Sequence, residues 1–180
     1  MPDGFVTENW NLSQFWYTEA TRQILAKEIY YATLDDNIAF LSCPSLYHSF
    51  TEMYYDRRDR SYLFEFDSRF YDHAGENFLK FDCFNVEAMK ASVAKRKFPS
   101  FDYVVADPPY LSIECLESMS NCVKFLAGDK GKILYIAGDT VVENVPYYLP
   151  MCHPLKFLPQ NNTLRNAFFC YVNYDSAYID

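Results

Sequence analysis

The feature that most constrains the fold is an alternation of two kinds of segment along the 180-residue chain. Short apolar runs of strand length are separated by longer segments in which apolar residues recur at helical spacing. Strands that alternate with helices predict a mostly parallel sheet with helices on both faces, because each parallel connection needs a crossover that packs on the sheet. Five such runs occur, at residues 37–45, 61–67, 77–84, 101–107 and 131–139.

The remaining segments complete a single α/β domain. We predict a first helix over residues 13–32 and a closing antiparallel hairpin of strands at 155–159 and 167–175. The length suits one hydrophobic core, so we predict one seven-stranded domain over residues 14–180. We predict that residues 1–13 form a flexible N-terminal arm. The other predicted helices cover residues 46–55 with Ser45 as the N-cap, 86–97, 113–127 and 141–149.

Charge and cysteine content narrow the class of partner. A formal net charge of -8 repels nucleic-acid phosphates and favours a basic segment of another protein. The six cysteines include no CxxC pair and no histidine at metal-ligand spacing, which argues against zinc and favours a reducing compartment. The opening sequence MPDGFVTENW has no apolar signal-peptide core, and no run is long and apolar enough to span a bilayer. We therefore expect a cytoplasmic protein without membrane contact.

Acidic residues follow four of the predicted strands, at Asp67, Asp82, Asp107 and Asp139. The carboxyl ends of parallel strands meet at one edge of the sheet, where such sheets bind ligands. The chain has neither a GxGxxG nor a GxxxxGK[ST] motif, which disfavours dinucleotides and nucleoside triphosphates. A ligand with an adenosine but no phosphate, such as S-adenosylmethionine, fits better. Asp67, or Glu65 near it, then holds the ribose hydroxyls, and Asp82 lies near the adenine.

The sequence ADPPYLS ends the fourth strand with an acid, two prolines and an aromatic ring. Pro108 and Pro109 cannot continue a central strand, and they hold its exit in one extended shape. The Asp107 carboxylate and the Pro108 carbonyl oxygen then accept hydrogen bonds from one NH₂ group, beside the ring of Tyr110. Such a site directs a nitrogen lone pair at an incoming methyl group, so catalysis comes from alignment and electrostatics.

DPPY after a hydrophobic strand resembles the motif of class I amino-methyltransferases, which use S-adenosylmethionine. Nearly the whole chain resembles the eukaryotic elongation factor 1-alpha lysine methyltransferase family, formerly described as N6-adenine-specific DNA methyltransferases. This resemblance implies a Rossmann-like class I methyltransferase fold and S-adenosylmethionine as the cofactor. The segments that carry it, in the same order, are QFWYTEAT at 14–21, LSCPSLY at 41–47, YLFEFD at 62–67, FDYVVADPPYLSIECL at 101–116 and CYVNYD at 170–175.

The resemblance also implies roles for individual residues, none of them as a metal ligand. The implied receivers of the substrate amino group are Asp107, Pro108, Pro109 and Tyr110. The implied cofactor-binding residues are Phe15, Trp16, Tyr17, Thr18, Ser42, Pro44, Ser45, Asp67, Asp82 and Asp107.

The DPPY motif does not choose between a lysine and an adenine substrate, because both carry an NH₂ group. An acidic chain without a visible basic groove favours a protein lysine, and the resemblance implies elongation factor 1-alpha as the partner. Two alternatives stay open at this point: an adenine-N6 methyltransferase acting on RNA or DNA, and a non-catalytic binding module with the same fold. The sequence leaves the target lysine, the number of methyl groups and the oligomeric state open.

Overall fold

The computed structural model describes residues 5–176, 178 and 179. Helices α1 to α6 span Glu19–Ala32, Pro44–Met53, Tyr71–Ala74, Val86–Arg96, Ile113–Ala127 and Val145–Tyr148. Strands β1 to β7 span Ile38–Leu41, Ser61–Glu65, Phe78–Lys80, Tyr103–Ala106, Lys132–Gly138, His153–Pro154 and Phe168–Val172. Short 3-10 turns lie at Trp10–Leu12, Tyr55–Arg60, Ser68–Phe70, Gly75–Asn77 and Val142–Asn144.

The seven strands form one sheet in the order β3-β2-β1-β4-β5-β7-β6. Strands β1 to β5 run parallel, whereas β7 pairs antiparallel with both β5 and β6. The predicted seven-stranded, mostly parallel sheet with a C-terminal antiparallel hairpin is therefore confirmed. The chain turns back from β3 to β4 on the other side of β1, so the strand order reverses between β1 and β4. A reversal of this kind opens a crevice at the carboxyl edge of the sheet.

Hydrophobic clusters lie on both faces of the sheet. Val104 of β4 belongs to the same cluster as Met119 of α5. The next residue, Val105, belongs to the opposite cluster with Leu25 of α1 and Phe50 of α2. Successive side chains of a strand point to opposite faces, so these two neighbours assign α5 to one face and α1 and α2 to the other. The prediction of helices on both faces is confirmed.

The first helix begins later than the apolar spacing predicts. It starts at Glu19, because the Thr18 side chain caps it by accepting a hydrogen bond from the Thr21 N–H at 3.2 Å. The preceding residues are extended instead: Tyr17 forms an antiparallel bridge with Asn161. Residues 15–17 were predicted inside the helix, and their backbone is extended instead.

Three other boundaries differ from the prediction. Cys43 is the N-cap of α2 and Pro44 its first residue, a position that suits proline because its missing N–H has no intrahelical partner; Ser45 lies inside the helix. The hairpin strand predicted at 155–159 lies at His153–Pro154, after which the chain leaves the sheet to contact the start of α1. The helix predicted at 141–149 is a 3-10 turn followed by the short α6.

The N-terminal arm is packed on the domain wherever the structure describes it; its residues 1–4 lie outside the described residues. The Phe5 ring lies 4.7 Å from the His48 ring and 5.6 Å from the Trp16 ring, between centroids. The Trp16 indole donates to the Val6 carbonyl at 3.2 Å, and the Trp16 backbone N–H donates to the Glu8 carboxylate at 2.7 Å. Phe5, Val6 and Glu8 thus hold this segment against the domain, and the flexibility of the arm stays a prediction.

The six cysteines are free thiols with buried side chains. They behave as small apolar core residues, as shown by Cys122 and Cys170 in the two opposite clusters. Within the described part of the chain, no group of three or more His, Cys, Asp or Glu side chains is arranged to hold a metal ion. A search of the same residues finds no helix with the length and hydropathy of a membrane span.

Candidate active site

A cavity of about 450 Å³ lies at the carboxyl edge of the sheet, where β1, β2 and β4 end. Leu41 of β1 pairs with Ala106 of β4, so Ser42 and Asp107 leave the sheet side by side. Backbone hydrogen bonds continue past the strand ends: the Asp107 N–H donates to the Leu41 carbonyl at 3.1 Å, and the Ser42 N–H donates to the Phe64 carbonyl at 2.9 Å. The exits are held in place by the sheet itself, at its topological switch point.

Two segments outside the parallel strands complete the cavity wall. Residues 12–17 line one side, and Leu164 and Asn166, in the loop before β7, line another. These segments are joined to each other, because the Thr18 N–H donates to the Gln160 carbonyl at 2.8 Å. The cavity is thus closed by two pieces of chain that are far apart in sequence.

Most of the predicted site residues meet at this cavity. All four predicted receivers of the amino group line it, namely Asp107, Pro108, Pro109 and Tyr110. Two of the ten predicted cofactor residues, Thr18 and Asp67, are not among its lining residues. The other predicted cofactor residues do line it: Phe15, Trp16, Tyr17, Ser42, Pro44, Ser45, Asp82 and Asp107.

Asp67 organises a turn instead of facing the cavity. Its carboxylate accepts from the Arg69 backbone N–H at 3.0 Å, which caps the 3-10 turn after β2. The Arg69 guanidinium donates to the same carboxylate at 2.6 Å, and the Gln14 side-chain amide donates to it at 2.9 Å. Burial alone would raise the pKa of Asp67, but the hydrogen bonds from Arg69 and Gln14 hold that pKa below its usual value.

Glu65 is the acid that faces the cavity at the end of β2. It is the last residue of the strand, it is buried, and it lines the cavity. Its carboxylate accepts a hydrogen bond from the Asp67 N–H at 2.9 Å. Burial raises the pKa of Glu65 to about 7, although this hydrogen bond opposes the shift. The sequence signal was the motif EFD, and the strand ends at the first of its two acids.

Asp107 is the second carboxylate of the cavity with a perturbed pKa, and the residue is half-buried. The Tyr17 hydroxyl donates a hydrogen bond to its Oδ1 atom at 2.8 Å. Burial raises the pKa of Asp107 to about 7, the hydrogen bond from Tyr17 opposes this rise, and the nearby Glu65 charge adds to it. A carboxyl group with this pKa is partly ionised at neutral pH and can accept a hydrogen bond from an amine.

The loop that carries Pro108, Pro109 and Tyr110 is fixed by contacts of the two residues that follow it as well as by its prolines. Leu111 packs against Gly138 at the end of β5, where a Cβ atom on residue 138 would lie 2.4 Å from the Leu111 Cδ2 atom. A side chain at residue 138 would therefore displace the Leu111 side chain from this position. The loop ends where Ser112 caps α5 by accepting from the Cys115 N–H at 3.2 Å.

Two aromatic rings that we did not assign from the sequence, those of Phe66 and Phe84, stand at the cavity beside Tyr110, which we did assign. Phe66, Phe84 and Tyr110 line it, and each is 43–50% exposed. The rings of Phe84 and Tyr110 are stacked, with centroids 5.8 Å apart and planes at 28°. Half-exposed rings at a cavity offer faces to a planar base or to a cation. The available signal was an aromatic residue shortly after an acid: Phe66 directly follows Glu65, and Phe84 follows Asp82 by two residues.

The charged groups of the cavity wall share one sign. Its lining includes Glu65, Asp82 and Asp107 and, among the residues described, no lysine or arginine. Such a lining favours a cationic ligand. Asp139, the fourth strand-end acid, is exposed and lies outside the lining; it accepts from the Asn166 side-chain amide at 3.0 Å and so fastens the loop before β7.

Sequence comparisons relate this chain to known proteins. Residues 8–176 match the family model described as "Probable N6-adenine methyltransferase". The protein named EEF1A lysine methyltransferase 1 of Mus musculus is 42% identical over 179 residues, which cover 97% of this chain and 78% of the mouse protein. A protein-lysine N-methyltransferase of Dictyostelium discoideum is 34% identical over 175 residues, which cover 95% of this chain and 79% of that protein.

The fold has a counterpart among solved structures. The crystal structure of precorrin-6y C5,15-methyltransferase from Geobacter metallireducens GS-15 matches with a TM-score of 0.61, over 97% of this chain and 95% of that chain. The two sequences are 12% identical, so the likeness concerns the fold alone. It confirms the predicted Rossmann-like methyltransferase fold.

Proposed function

This chain belongs to the family of probable N6-adenine methyltransferases, and on this premise we propose that it is an S-adenosylmethionine-dependent protein-lysine N-methyltransferase. The name of its mouse relative points to elongation factor 1-alpha as the substrate. The observation that carries the proposal is the half-buried Asp107 carboxylate at the DPPY exit, in a cavity whose described charged lining residues are all acidic.

The volume and the lining residues of the cavity support S-adenosylmethionine as the cofactor. Of the two acids that we expected to hold the ribose hydroxyls, Asp67 or Glu65, we assign Glu65, because it lies at the end of the second strand and lines the cavity. Phe66 and Phe84 supply apolar faces for the adenine, with Asp82 beside them. The volume of about 450 Å³ lies within the range of small-molecule sites. We assign the methionine portion to the remaining wall, formed by Phe15, Trp16, Ser42, Pro44 and Ser45.

When bound, S-adenosylmethionine supplies a methyl group on a sulfonium, so that a nitrogen–carbon bond forms, the carbon–sulfur bond breaks and a proton leaves the substrate nitrogen. The chain's own residues hold that nitrogen. Asp107 accepts a hydrogen bond from it, and Pro108 and Pro109 fix the loop so that a carbonyl oxygen provides a second acceptor. Tyr110 presents its ring to the charge that develops on the nitrogen. Rate enhancement then comes from alignment and from fixed electrostatics.

The acidic wall supports a lysine substrate over a nucleic acid. A lysine side chain reaches the cavity as a cation, and carboxylates attract it. Its nitrogen must lose a proton before it can react, and burial against aromatic rings lowers the pKa of an amine. An adenine, by contrast, arrives with a phosphate backbone that an acid-lined cavity repels. The description of the matched family names adenine, so both substrates belong in one test.

The test is a methyl-transfer assay with three acceptors. Purified protein is incubated with methyl-labelled S-adenosylmethionine and with elongation factor 1-alpha, an adenine-containing RNA or an adenine-containing DNA. We expect label on a lysine of elongation factor 1-alpha and none on either nucleic acid. Label on adenine instead would replace the lysine assignment, and label on none of the three would point to a binding module. The matched variants are Asp107→Asn, expected to be inactive, and Asp129→Asn, an exposed acid in the turn before β5, expected to be active.

We also propose that the protein works in the cytoplasm. Six free, buried thiols suit a reducing compartment, and a translation elongation factor is a cytoplasmic substrate. Fractionation of cells that express the tagged chain tests this location; recovery with a secretory or membrane fraction would contradict it.

A further inference from the structure

Besides lining the cavity, the Tyr17 side chain forms a hydrogen bond with Asp107, a contact that binding of a cofactor does not require. Its hydroxyl donates to the Asp107 Oδ1 atom at 2.8 Å, across 90 residues of sequence. The Tyr17 side chain is only 2% exposed. Burial and the neighbouring Asp107 charge raise the pKa of Tyr17 well above its usual value, so the hydroxyl keeps its proton and stays the donor.

The position of the Tyr17 ring is determined by contacts on several sides. Its backbone forms the bridge with Asn161, and its carbonyl accepts from the Arg22 guanidinium at 3.2 Å. The edge of the Phe168 ring packs on it, with centroids 5.8 Å apart and planes at 90°. A ring held in this way presents its hydroxyl to one place, and that place is one oxygen of Asp107.

The second oxygen of Asp107 is left for another donor. The Asp107 backbone N–H is bound to the Leu41 carbonyl, so the residue is fixed at its backbone by β1 and at Oδ1 by Tyr17. No hydrogen bond from another described residue reaches Oδ2, while Asp107 lines the cavity. A carboxylate whose rotation is restricted presents one oxygen at one angle, which is what an aligned nitrogen requires.

We propose that Tyr17 is a positioning residue: its hydroxyl occupies Oδ1 of Asp107 so that Oδ2 faces the substrate nitrogen as an acceptor. This inference rests on the proposed methyltransferase function, and it assigns to Tyr17 a role that differs from cofactor contact. A protonated carboxyl carries a hydrogen on one oxygen, and with Oδ1 taken up by the Tyr17 hydroxyl an Oδ2–H would be a donor instead of an acceptor for the substrate nitrogen.

The ionisation of Asp107 depends on the hydrogen bond from the Tyr17 hydroxyl, because the other surroundings of Asp107 do not favour a negative charge. The groups that face Asp107 from the packed elements are acidic or neutral, and Tyr17 is the one that donates to it among the described residues. Without that bond, burial and the Glu65 charge act unopposed, and the pKa of Asp107 rises above about 7. The titratable groups concerned are Glu65 at the end of β2, Cys43 at the end of β1, Tyr135 on β5, Cys170 on β7 and Tyr17 itself.

The experiment compares Tyr17→Phe with a matched loss of a buried hydroxyl. Tyr171→Phe serves as the control, because the Tyr171 hydroxyl donates to the Val142 carbonyl at 3.1 Å and Tyr171 does not line the cavity. The first readout is independent of activity: carbon-13 NMR of carboxyl-labelled aspartate follows the titration of Asp107, assigned with Asp107→Asn. The others are S-adenosylhomocysteine affinity by calorimetry and kcat as a function of pH.

We expect Tyr17→Phe to raise the pKa of Asp107 by about one unit, since one hydrogen bond to a charged group is worth roughly that shift or more. The ionised fraction at pH 7 then falls from about one half to about one eleventh, so kcat falls about fivefold. The ratio of variant to wild-type kcat should recover as the pH rises, and this ratio cancels the titration of the substrate. Cofactor affinity should stay within about twofold, and Tyr171→Phe should change neither quantity.

Several results would overturn the proposal. One is an Asp107 that titrates at the same pH in Tyr17→Phe and in the wild type; another is a kcat ratio that is flat with pH. A loss of S-adenosylhomocysteine affinity without a change in Asp107 titration would make Tyr17 a cofactor contact instead. If the Asp107 pKa rises as expected while the wild-type chain methylates no acceptor, Tyr17 still controls the carboxylate and the proposed function fails.

Discussion

Glu65 and Asp107 are carboxylates in the same cavity, the first buried and the second half-buried. Each has a pKa raised to about 7, but different parts of the chain hold them. Glu65 accepts from the N–H of Asp67, only two residues further along. Asp107 accepts from the Tyr17 hydroxyl, which comes from the segment before α1. Glu65 is therefore held by its own turn, whereas the position of the Asp107 carboxylate depends on a segment that is distant in sequence.

This difference assigns the two acids to different tasks in the same cavity, namely cofactor binding and methyl transfer. A locally fixed acid is suited to the ribose hydroxyls of a cofactor, which every catalytic cycle requires in the same place. An acid oriented by a remote segment can respond to whatever holds that segment, including the N-terminal residues that bond to Trp16 and the loop that bonds to Thr18. We therefore expect changes at Glu65 to affect cofactor affinity and changes around Asp107 to affect methyl transfer.

The largest expected effect is at Asp107. Asp107→Asn keeps the shape of the side chain but removes the charge, so kcat should fall by about 10²–10³-fold, as for the loss of one preorganised electrostatic group. The affinity for S-adenosylhomocysteine should stay within about twofold. Label transfer and calorimetry measure the two quantities. A parallel loss of both would mean that the two acids do not divide the tasks.

Stability should depend on pH because both acids have raised pKa values. The unfolded chain releases these protons near pH 4, whereas the folded chain retains them up to about pH 7. The free energy of unfolding should therefore decrease as the pH rises through this range. Glu65→Gln removes the contribution of Glu65 to this pH dependence. The change that the substitution makes to the free energy of unfolding should be on the order of 3 kcal/mol more stabilising at pH 8 than at pH 4.

Urea denaturation at pH 4 and pH 8 checks this expectation. Asp67 provides the opposite case, because its pKa is lowered and its stabilisation is lost only as the pH falls below about 4. A Glu65→Gln variant with the same stability difference from wild type at both pH values would show that burial does not raise the pKa of Glu65.

The next effect distinguishes the two acids near the end of β2. Glu65→Gln should weaken S-adenosylhomocysteine binding by about 10- to 100-fold, since hydrogen bonds to a charged acceptor are lost. Asp67→Asn should weaken it much less, because Asp67 is bound to Arg69 and Gln14 outside the cavity lining. Calorimetry on both variants gives the comparison. The reverse ranking would return the ribose to Asp67.

The smallest expected effect is at Thr18. Thr18→Ala removes the N-cap of α1 and should lower the free energy of unfolding by about 1 kcal/mol. Cofactor affinity should not change, because Thr18 does not line the cavity. Denaturation and calorimetry on the same preparation test the two halves of this prediction. A variant with native stability and weakened cofactor binding would restore the role that the family resemblance implied.

The parallel sheet could be predicted because its signals are local. Buried parallel strands are continuous apolar runs, and those before Ser42 and Asp107 were recognisable from their composition alone. Their last residues were less certain: we extended the second strand to Asp67, although β2 ends at Glu65. Hydrophobic pattern places a strand but not its final residue, and here two residues decide which acid faces the cavity.

The site was predicted where it depends on strand exits and missed where it depends on tertiary contact. The DPPY loop follows a strand directly, so its place at the cavity could be inferred. Residues 15–17 lie within the helix predicted from the apolar pattern, but pairing with residues 160–161 makes them extended. The bond between Tyr17 and Asp107 spans 90 residues, and no local pattern reports it.

The most direct measurement is a crystal structure with S-adenosylhomocysteine. The account predicts the ribose hydroxyls on the Glu65 carboxylate, the sulfur at the Asp107 end of the cavity, and the Tyr17 hydroxyl still bound to Asp107. A ligand whose ribose contacts Asp67, or whose density lies outside this cavity, would contradict it.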